Sequence, residues 1–306
     1  MSDKPATLQG LNPPQQEAVT STEGPLLILA GAGSGKTRVL TQRIATLLSR
    51  GVEPWQILAV TFTNKAAAEM RERVADIVGS QAQQLWVSTF HSSCARILRR
   101  DAEYLGYASH FVIYDDDDQE RLIKTILQDL GIDKKREPPR KFAHQIDQAK
   151  NEMLSPEEVG ESDPTGSLLP RVYQEYETRL KAANAMDFND LINQVVRLFR
   201  EHPQVLERWQ DRFHYLLVDE YQDTNRAQYA LVKLFAAKRR NLAVVGDDDQ
   251  SIYSFRGADI RNILDFEKDY PDAKVILLEQ NYRSTGHILA AATAVVHHNH
   301  EIGRAS

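Results

Sequence analysis

Six short runs of apolar and β-branched residues recur along the chain, each closed by small or polar residues. They are PLLILAGAG (25–33), ILAVTFTN (57–64), LWVSTFHS (85–92), YLLVDEYQD (215–223), LAVVGDDDQ (242–250) and KVILLEQNY (274–282). Hydrophobicity within them is continuous rather than alternating, the pattern of strands covered on both faces in a parallel sheet. Between the first runs lie stretches with helical spacing, TRVLTQRIATLLSR (37–50) and NKAAAEMRERVADIV (64–78). Strand followed by helix, repeated, predicts an α/β layer architecture.

The alternation breaks between about residues 93 and 212, where DDDDQERLIKTILQDLG, FAHQIDQAKNEML, LLPRVYQEYETRLKAAN and FNDLINQVVRLFREH are all helix-like. Breaks at Pro138–Pro139 and at SDPTG (162–166) punctuate this region, and the strand pattern resumes after it. The expected organisation is an α/β domain in two parts, 1–92 and 213–282, interrupted by an all-helical insertion over 93–212, with 283–306 beginning something further. Four acids, Asp115–Asp118, precede one amphipathic run. They suit an N-cap and a favourable dipole interaction better than a metal cluster.

A chain of 306 residues has room for about two domains and a sizeable core. Composition is that of an ordinary globular protein, 42% hydrophobic and 26% charged. The longest apolar run, PLLILA, is strand-sized, and MSDKPATLQG has neither a basic cluster nor an apolar h-region, so a cytoplasmic location without membrane contact is expected. A lone cysteine, Cys94, cannot form an internal disulfide and suits a reducing compartment. The net charge of −6 argues against a partner held by bulk electrostatics, but much of the acid is local, at 115–118, 157–161 and 247–249.

Candidate chemistry sits where the apolar runs end, which in an open α/β sheet is the ligand crevice. After the first run, GAGSGKT nearly matches the phosphate-loop pattern GxxxxGK(S/T), with Ala30 in place of the first glycine. Gly31, Gly33 and Gly35 let backbone N–H groups wrap a phosphate, Lys36 reaches the β/γ-phosphates of ATP, and the Thr37 hydroxyl holds Mg²⁺. The helix beginning there turns its positive end to the anion. After the fourth run, VDEYQD offers Asp219 to Mg²⁺ and Glu220 to the attacking water. After the fifth, Gln250 is placed to position that water and Arg256 to neutralise developing charge, while Tyr253 and Phe255 present faces to a planar group; taken alone, the same residues also fit a turn with a buried aromatic pair. The nine histidines show no metal-site spacing.

AGAGSGKT, TFTNKAA, STFHS, VDEYQDTN, GDDDQSIYSFRGA and LEQNYRST, in this order, resemble the successive motifs of superfamily 1 DNA helicases of the UvrD/PcrA/Rep type, over nearly the whole chain. The resemblance implies a RecA-like motor domain, 1A, interrupted by a helical domain, 1B, with 283–306 opening a second motor domain, 2A. It implies that Gln15 of LNPPQ reads adenine, that Ala32, Gly33, Ser34, Gly35, Lys36 and Thr37 hold the phosphates, that Tyr282 and Arg38 flank the adenine, and that Arg283 contacts the γ-phosphate. It implies single-stranded DNA against Phe62, Thr63, Asn64, Thr89 and His91, with bases stacked on Tyr253 and Phe255. Stacking contributes roughly 1–3 kcal/mol per base and tolerates any sequence, so an acidic motor can rely on it. Phe255 stands where many relatives carry tryptophan, which weakens stacking without abolishing it.

The family resemblance further implies 3′ to 5′ movement, DNA junctions as substrates, and repair or replication partners. It also implies a complete 2A with its insertion 2B, which supplies the opposite wall of the ATP cleft. The sequence stops at Ser306, so this chain is expected to bind nucleotide weakly, hydrolyse it slowly and not unwind. Two alternatives stand beside that reading: the motor portion of a helicase-nuclease, and a non-motor fragment that only binds single-stranded DNA. A phosphate-loop kinase would leave the aromatic motifs without a purpose.

Overall fold

In a computed structural model, described for residues 6–133, 135–162, 166–247, 259 and 261–288, all six apolar runs are strands of one parallel sheet. They are β1 (Leu26–Ala30), β2 (Ile57–Thr61), β3 (Trp86–Thr89), β6 (Tyr215–Val218), β7 (Leu242–Gly246) and β8 (Lys274–Leu278), in the order β3-β2-β6-β7-β1-β8. The strand β1, which leads into the glycine-rich loop, lies inside the sheet, with Leu27 opposite Val244 of β7 and Val275 of β8.

Continuous hydrophobicity is explained by a different layer on each face. Side chains alternate, so Leu26, Ile28, Ile57, Ala59, Val87, Leu217 and Val245 enter one core and Leu27, Leu58, Val60, Trp86, Leu216 and Val244 the other. The first core is closed by α1 (Pro13–Thr20), α2 (Lys36–Ser49) and α3 (Asn64–Val78). The second is closed by α4 (Phe90–Asp101), then, after the short strand β4 (Val112–Tyr114) and further helices, by α9 (Phe188–Glu201), α10 (Pro203–Arg212), α11 (Arg226–Ala236) and the short α12 (Arg261–Leu264) and α13 (Phe266–Asp269).

A third core stands apart, made by α5 (Asp116–Asp129), α6 (Pro139–Asn151), α7 (Pro156–Glu161) and α8 (Leu169–Ala182), with Ile123, Phe142, Ile146, Val172 and Tyr176 at its centre. The region between β3 and β6 is thus helical with one addition, a two-stranded parallel ladder of β4 and β5 (Ala185–Asp187). Periodicity misses it because three-residue strands carry too little pattern to distinguish them from helix ends. Asp115 caps α5, and Asp118 returns the bond to close a capping box. Among the described residues no group of His, Cys, Asp and Glu is arranged to hold a metal on its own, and no helix is long and apolar enough to cross a membrane.

Candidate nucleotide and nucleic-acid sites

The candidate nucleotide site begins with backbone shape. Gly33 and Gly35 have φ of 74° and 91°, the left-handed region where a side chain is strained. Space forbids one as well. A Cβ on Gly33 would fall 2.7 Å from that of Arg283, and one on Gly35 would fall 2.9 Å from Gln15 Nε2. Gly35 is the N-cap of α2, and the helix has neither a side-chain cap nor an acid in its first turn. Its first N–H groups therefore face the loop without a protein anion, the arrangement that receives a phosphate.

Distant segments enclose this loop. Gln15, buried at the start of α1, donates from Nε2 to the Ser34 carbonyl at 2.9 Å, while its Oε1 accepts from the Asn12 backbone at 3.1 Å. The Tyr282 backbone donates to Gly33 O at 2.9 Å, and the side chain of Asn281 donates to the Ala32 carbonyl. Asn12 Nδ2 donates to the Tyr282 hydroxyl at 2.8 Å, joining the two enclosing segments. Tyr282 remains half exposed, and Arg38 is exposed on the first turn of α2.

The carboxylates come from β6 and β7, the second of which lies beside β1. Lys36 Nζ stands 3.2 Å from Glu220 Oε2 and 3.9 Å from Asp247 Oδ2. Glu220 is held by a left-handed backbone, φ 51°, a conformation that non-glycine residues keep only where surroundings impose it. Gln222, fully buried, supplies part of that restraint: its Nε2 donates to Glu220 Oε2 at 2.9 Å and its Oε1 accepts from the Asp247 backbone at 3.1 Å. Burial, then the neighbouring Glu220, pushes the Asp219 carboxyl up to about 7, against the opposing pull of Lys36 and the Glu220 backbone N–H. A buried acid so short of positive charge, with the Thr37 hydroxyl half-buried on the facing helix turn, is a donor set that fits Mg²⁺, which takes few protein oxygens and completes its shell with phosphate and water.

A cleft of about 840 Å³ opens between the carboxyl ends of β2 and β3 and the third core. Phe62, Thr63 and His91 of the expected DNA-contacting set line it. Thr63 is also the N-cap of α3, accepting from Ala66 N at 3.1 Å, and Asn64 is exposed one position on. Thr89 is buried and capped into α4, accepting from Ser92 N and donating to Ser92 Oγ. Burial lowers the His91 pKa, so its ring is neutral at pH 7. Gln250, Tyr253, Phe255 and Arg256 lie outside the described residues.

The opposite wall holds what sequence reasoning passed over. Phe188, nearly half exposed, faces His91 edge-on at 6.1 Å between ring centres. Asn189 beside it donates to Asp147, which also accepts from Gln119, both at 3.0 Å. Beneath them Lys150, wholly buried, binds Glu177, Asp187 and Asp190 at 2.6, 2.7 and 2.7 Å, and the Tyr176 hydroxyl donates to Asp187 at 3.0 Å. Asp187 and Asp190 form the capping box of α9, and a box of that spacing does mark Phe188 as the first residue of a helix in the sequence. Asn225, which caps α11 just past VDEYQD, donates to Asn151 Oδ1 of α6 at 2.8 Å and ties the two walls together.

A six-stranded parallel sheet with a glycine-rich loop after an inner strand, paired acids two strands away and an adjoining aromatic cleft defines a RecA-like α/β domain with a helical insert. The model of the UvrD/REP helicase N-terminal domain matches residues 11–271, and the chain belongs to that family. Among relatives, proteins named ATP-dependent DNA helicase PcrA from Staphylococcus epidermidis and from Staphylococcus aureus are each 55% identical over 299 residues, 97% of this chain. The chain spans 41% of the length of these relatives.

Proposed function

We propose that this chain is the N-terminal motor portion of an ATP-dependent DNA helicase that moves 3′ to 5′ on single-stranded DNA, in the cytoplasm, in repair or replication. The observation that carries the reading is the approach of Lys36 to Glu220 and Asp247, because it brings the phosphate loop and both acidic strand ends to one point beside an aromatic-walled cleft. Bound Mg²⁺ would draw charge from the phosphates, held by Thr37 and Asp219. Lys36 would exchange its carboxylate partners for phosphate, and the released Glu220, oriented by Gln222, would take the proton of the attacking water. Gln15 and Tyr282 would border the base, and Arg283 and Arg256 the γ-phosphate, with Gln250 at the lytic water.

In the cleft, Phe62, His91 and Phe188 offer rings to unpaired bases, with Tyr253 and Phe255 continuing the platform. We place domain 1A at 1–92 and 213–282 and domain 1B at 93–212, with 283–306 opening 2A. The cores refine this, since α4, α9 and α10 pack on the sheet and only α5–α8 form a separate body. DNA junctions and repair proteins are the proposed partners. The test is Mg²⁺-dependent ATP hydrolysis with and without a single-stranded oligonucleotide, on this chain and on one extended by a second motor domain. The extended protein should be stimulated by DNA and this chain only weakly; robust duplex unwinding by the 306-residue chain would contradict the reading.

A further inference from the structure

Away from both sites, three arginines of α4 and the α10 end gather over Trp86 of the edge strand β3. Trp86 opens β3 at its amino end, remote from the phosphate loop and the cleft, which lie at carboxyl ends. Its ring packs edge-to-face against Trp209 and Phe213 of the α10 end, at 5.6 and 5.1 Å. Both indole N–H groups are engaged, Trp86 with Ser93 Oγ at 3.1 Å and Trp209 with Asp101 Oδ2 at 2.8 Å, so this aromatic floor is locked.

Three guanidinium groups rest on it. That of Arg96 lies 3.9 Å from the Trp86 ring centre, that of Arg100 5.6 Å from Trp209, and that of Arg212 between 5.4 and 5.9 Å from Trp86, Trp209 and Phe213. Among the described residues none of the three has a carboxylate partner, whereas Arg208, one turn before Arg212, is paired with Asp101. Arg212 Nε is buried with no hydrogen-bond acceptor. Burial lowers the pKa of Arg212, and repulsion from Arg96 and Arg100 lowers it further. Three like charges held together by stacking, in a chain of net charge −6, leave N–H edges with no carboxylate to donate to among the described residues.

We propose that Arg96, Arg100 and Arg212 form an anion site for the phosphodiester backbone of a nucleic-acid segment, distinct from the cleft that takes the single strand. The guanidinium fork matches phosphate geometry, and stacking fixes its orientation before binding. Arg96 and Arg100 are one helical turn apart on α4, roughly 6 Å, a spacing suited to successive phosphates. Both point away from His91, since five and nine residues along a helix turn the side chain by about 140° and 180°. The occupant is therefore a second stretch of nucleic acid, such as a duplex arm, rather than the strand beside His91. The inference goes beyond the helicase reading, because the cluster would bind a backbone whether or not the motor runs.

The test is fluorescence anisotropy of a labelled blunt DNA duplex with this chain across a salt series, for wild type, R96A/R100A and R96K/R100K. Both positions are exposed, and binding of a fluorescent ATP analogue reports that each variant is folded. Loss of two phosphate contacts should lower the slope of log affinity against log salt by about 2 in R96A/R100A, with R96K/R100K restoring most of it. A labelled single strand, whose binding should respond to Phe188→Ala in the cleft, should bind R96A/R100A as it does wild type. Equal duplex slopes for wild type and R96A/R100A would overturn the proposal. So would an arginine-dependent complex with a polyglutamate peptide in place of the duplex, which would assign the site to an acidic protein segment. Failure of the single-strand arm alone would count against the cleft reading and leave the duplex result to decide this one.

Discussion

The candidate nucleotide site and the cleft share one sheet end but are built in opposite ways. The first is centred on one loop and pre-satisfied: residues 31–37 form its middle, distant segments close around it, and Lys36 already holds carboxylates that it would release on binding phosphate. The second is assembled from segments as far apart as Phe62, His144, Phe188 and Asn225, and the Phe188 ring is left nearly half exposed. A hydrolytic centre needs charges held to a fraction of an ångström before substrate arrives, whereas a surface that bases must enter and leave needs exposed, sequence-tolerant planes.

The sharpest way to separate the two is Glu220→Gln. It keeps the shape and the bond from Gln222 but removes the base, so ATP hydrolysis measured by phosphate release should fall about 10³-fold while a fluorescent ATP analogue still binds. A comparably large effect, on stability instead, is expected from Lys150→Met. Two buried acids and the half-buried Glu177 would lose the ammonium that binds them, at a cost of about 3–5 kcal/mol in urea unfolding, and the cleft wall at Phe188 should loosen while nucleotide binding persists. Next comes Phe188→Ala, which should weaken oligothymidine binding by about 1–3 kcal/mol without changing nucleotide affinity.

The smallest effect is that of His91. Its folded pKa lies below the unfolded value, so the unfolded chain binds more protons, and stability should fall as pH drops through the unfolded value of about 6.5. His91→Gln should flatten that part of the profile in thermal melts between pH 5 and 8.

The same contrast explains what could be read in advance. Six strands and the helices at 37–50 and 64–78 were legible because burial on both faces and 3.6-residue periodicity leave long local signals. Lys36, Asp219 and Glu220 stood out as candidates because phosphate chemistry needs particular residue types at strand ends, and the fold brings Lys36 to Glu220. Gln222 was not, since its role depends on β7 bringing the Asp247 backbone within 3.1 Å, a matter of strand order rather than of neighbours in sequence. Lys150 looked like any lysine on an amphipathic helix, and only the packing of α6, α8 and α9 shows it enclosed by three acids. Thr89 carries a structural role that its motif did not announce, since its hydroxyl is engaged in starting α4.

The central claim is that one chain carries two separable sites, for nucleotide and for single-stranded DNA. It is tested most directly by titrating Lys36→Ala with a fluorescent ATP analogue and, in parallel, with a labelled oligothymidine. The account predicts that nucleotide binding is lost while DNA affinity stays within about twofold of wild type, as expected for sites without shared partners. Loss of both together, or retention of nucleotide binding, would contradict it.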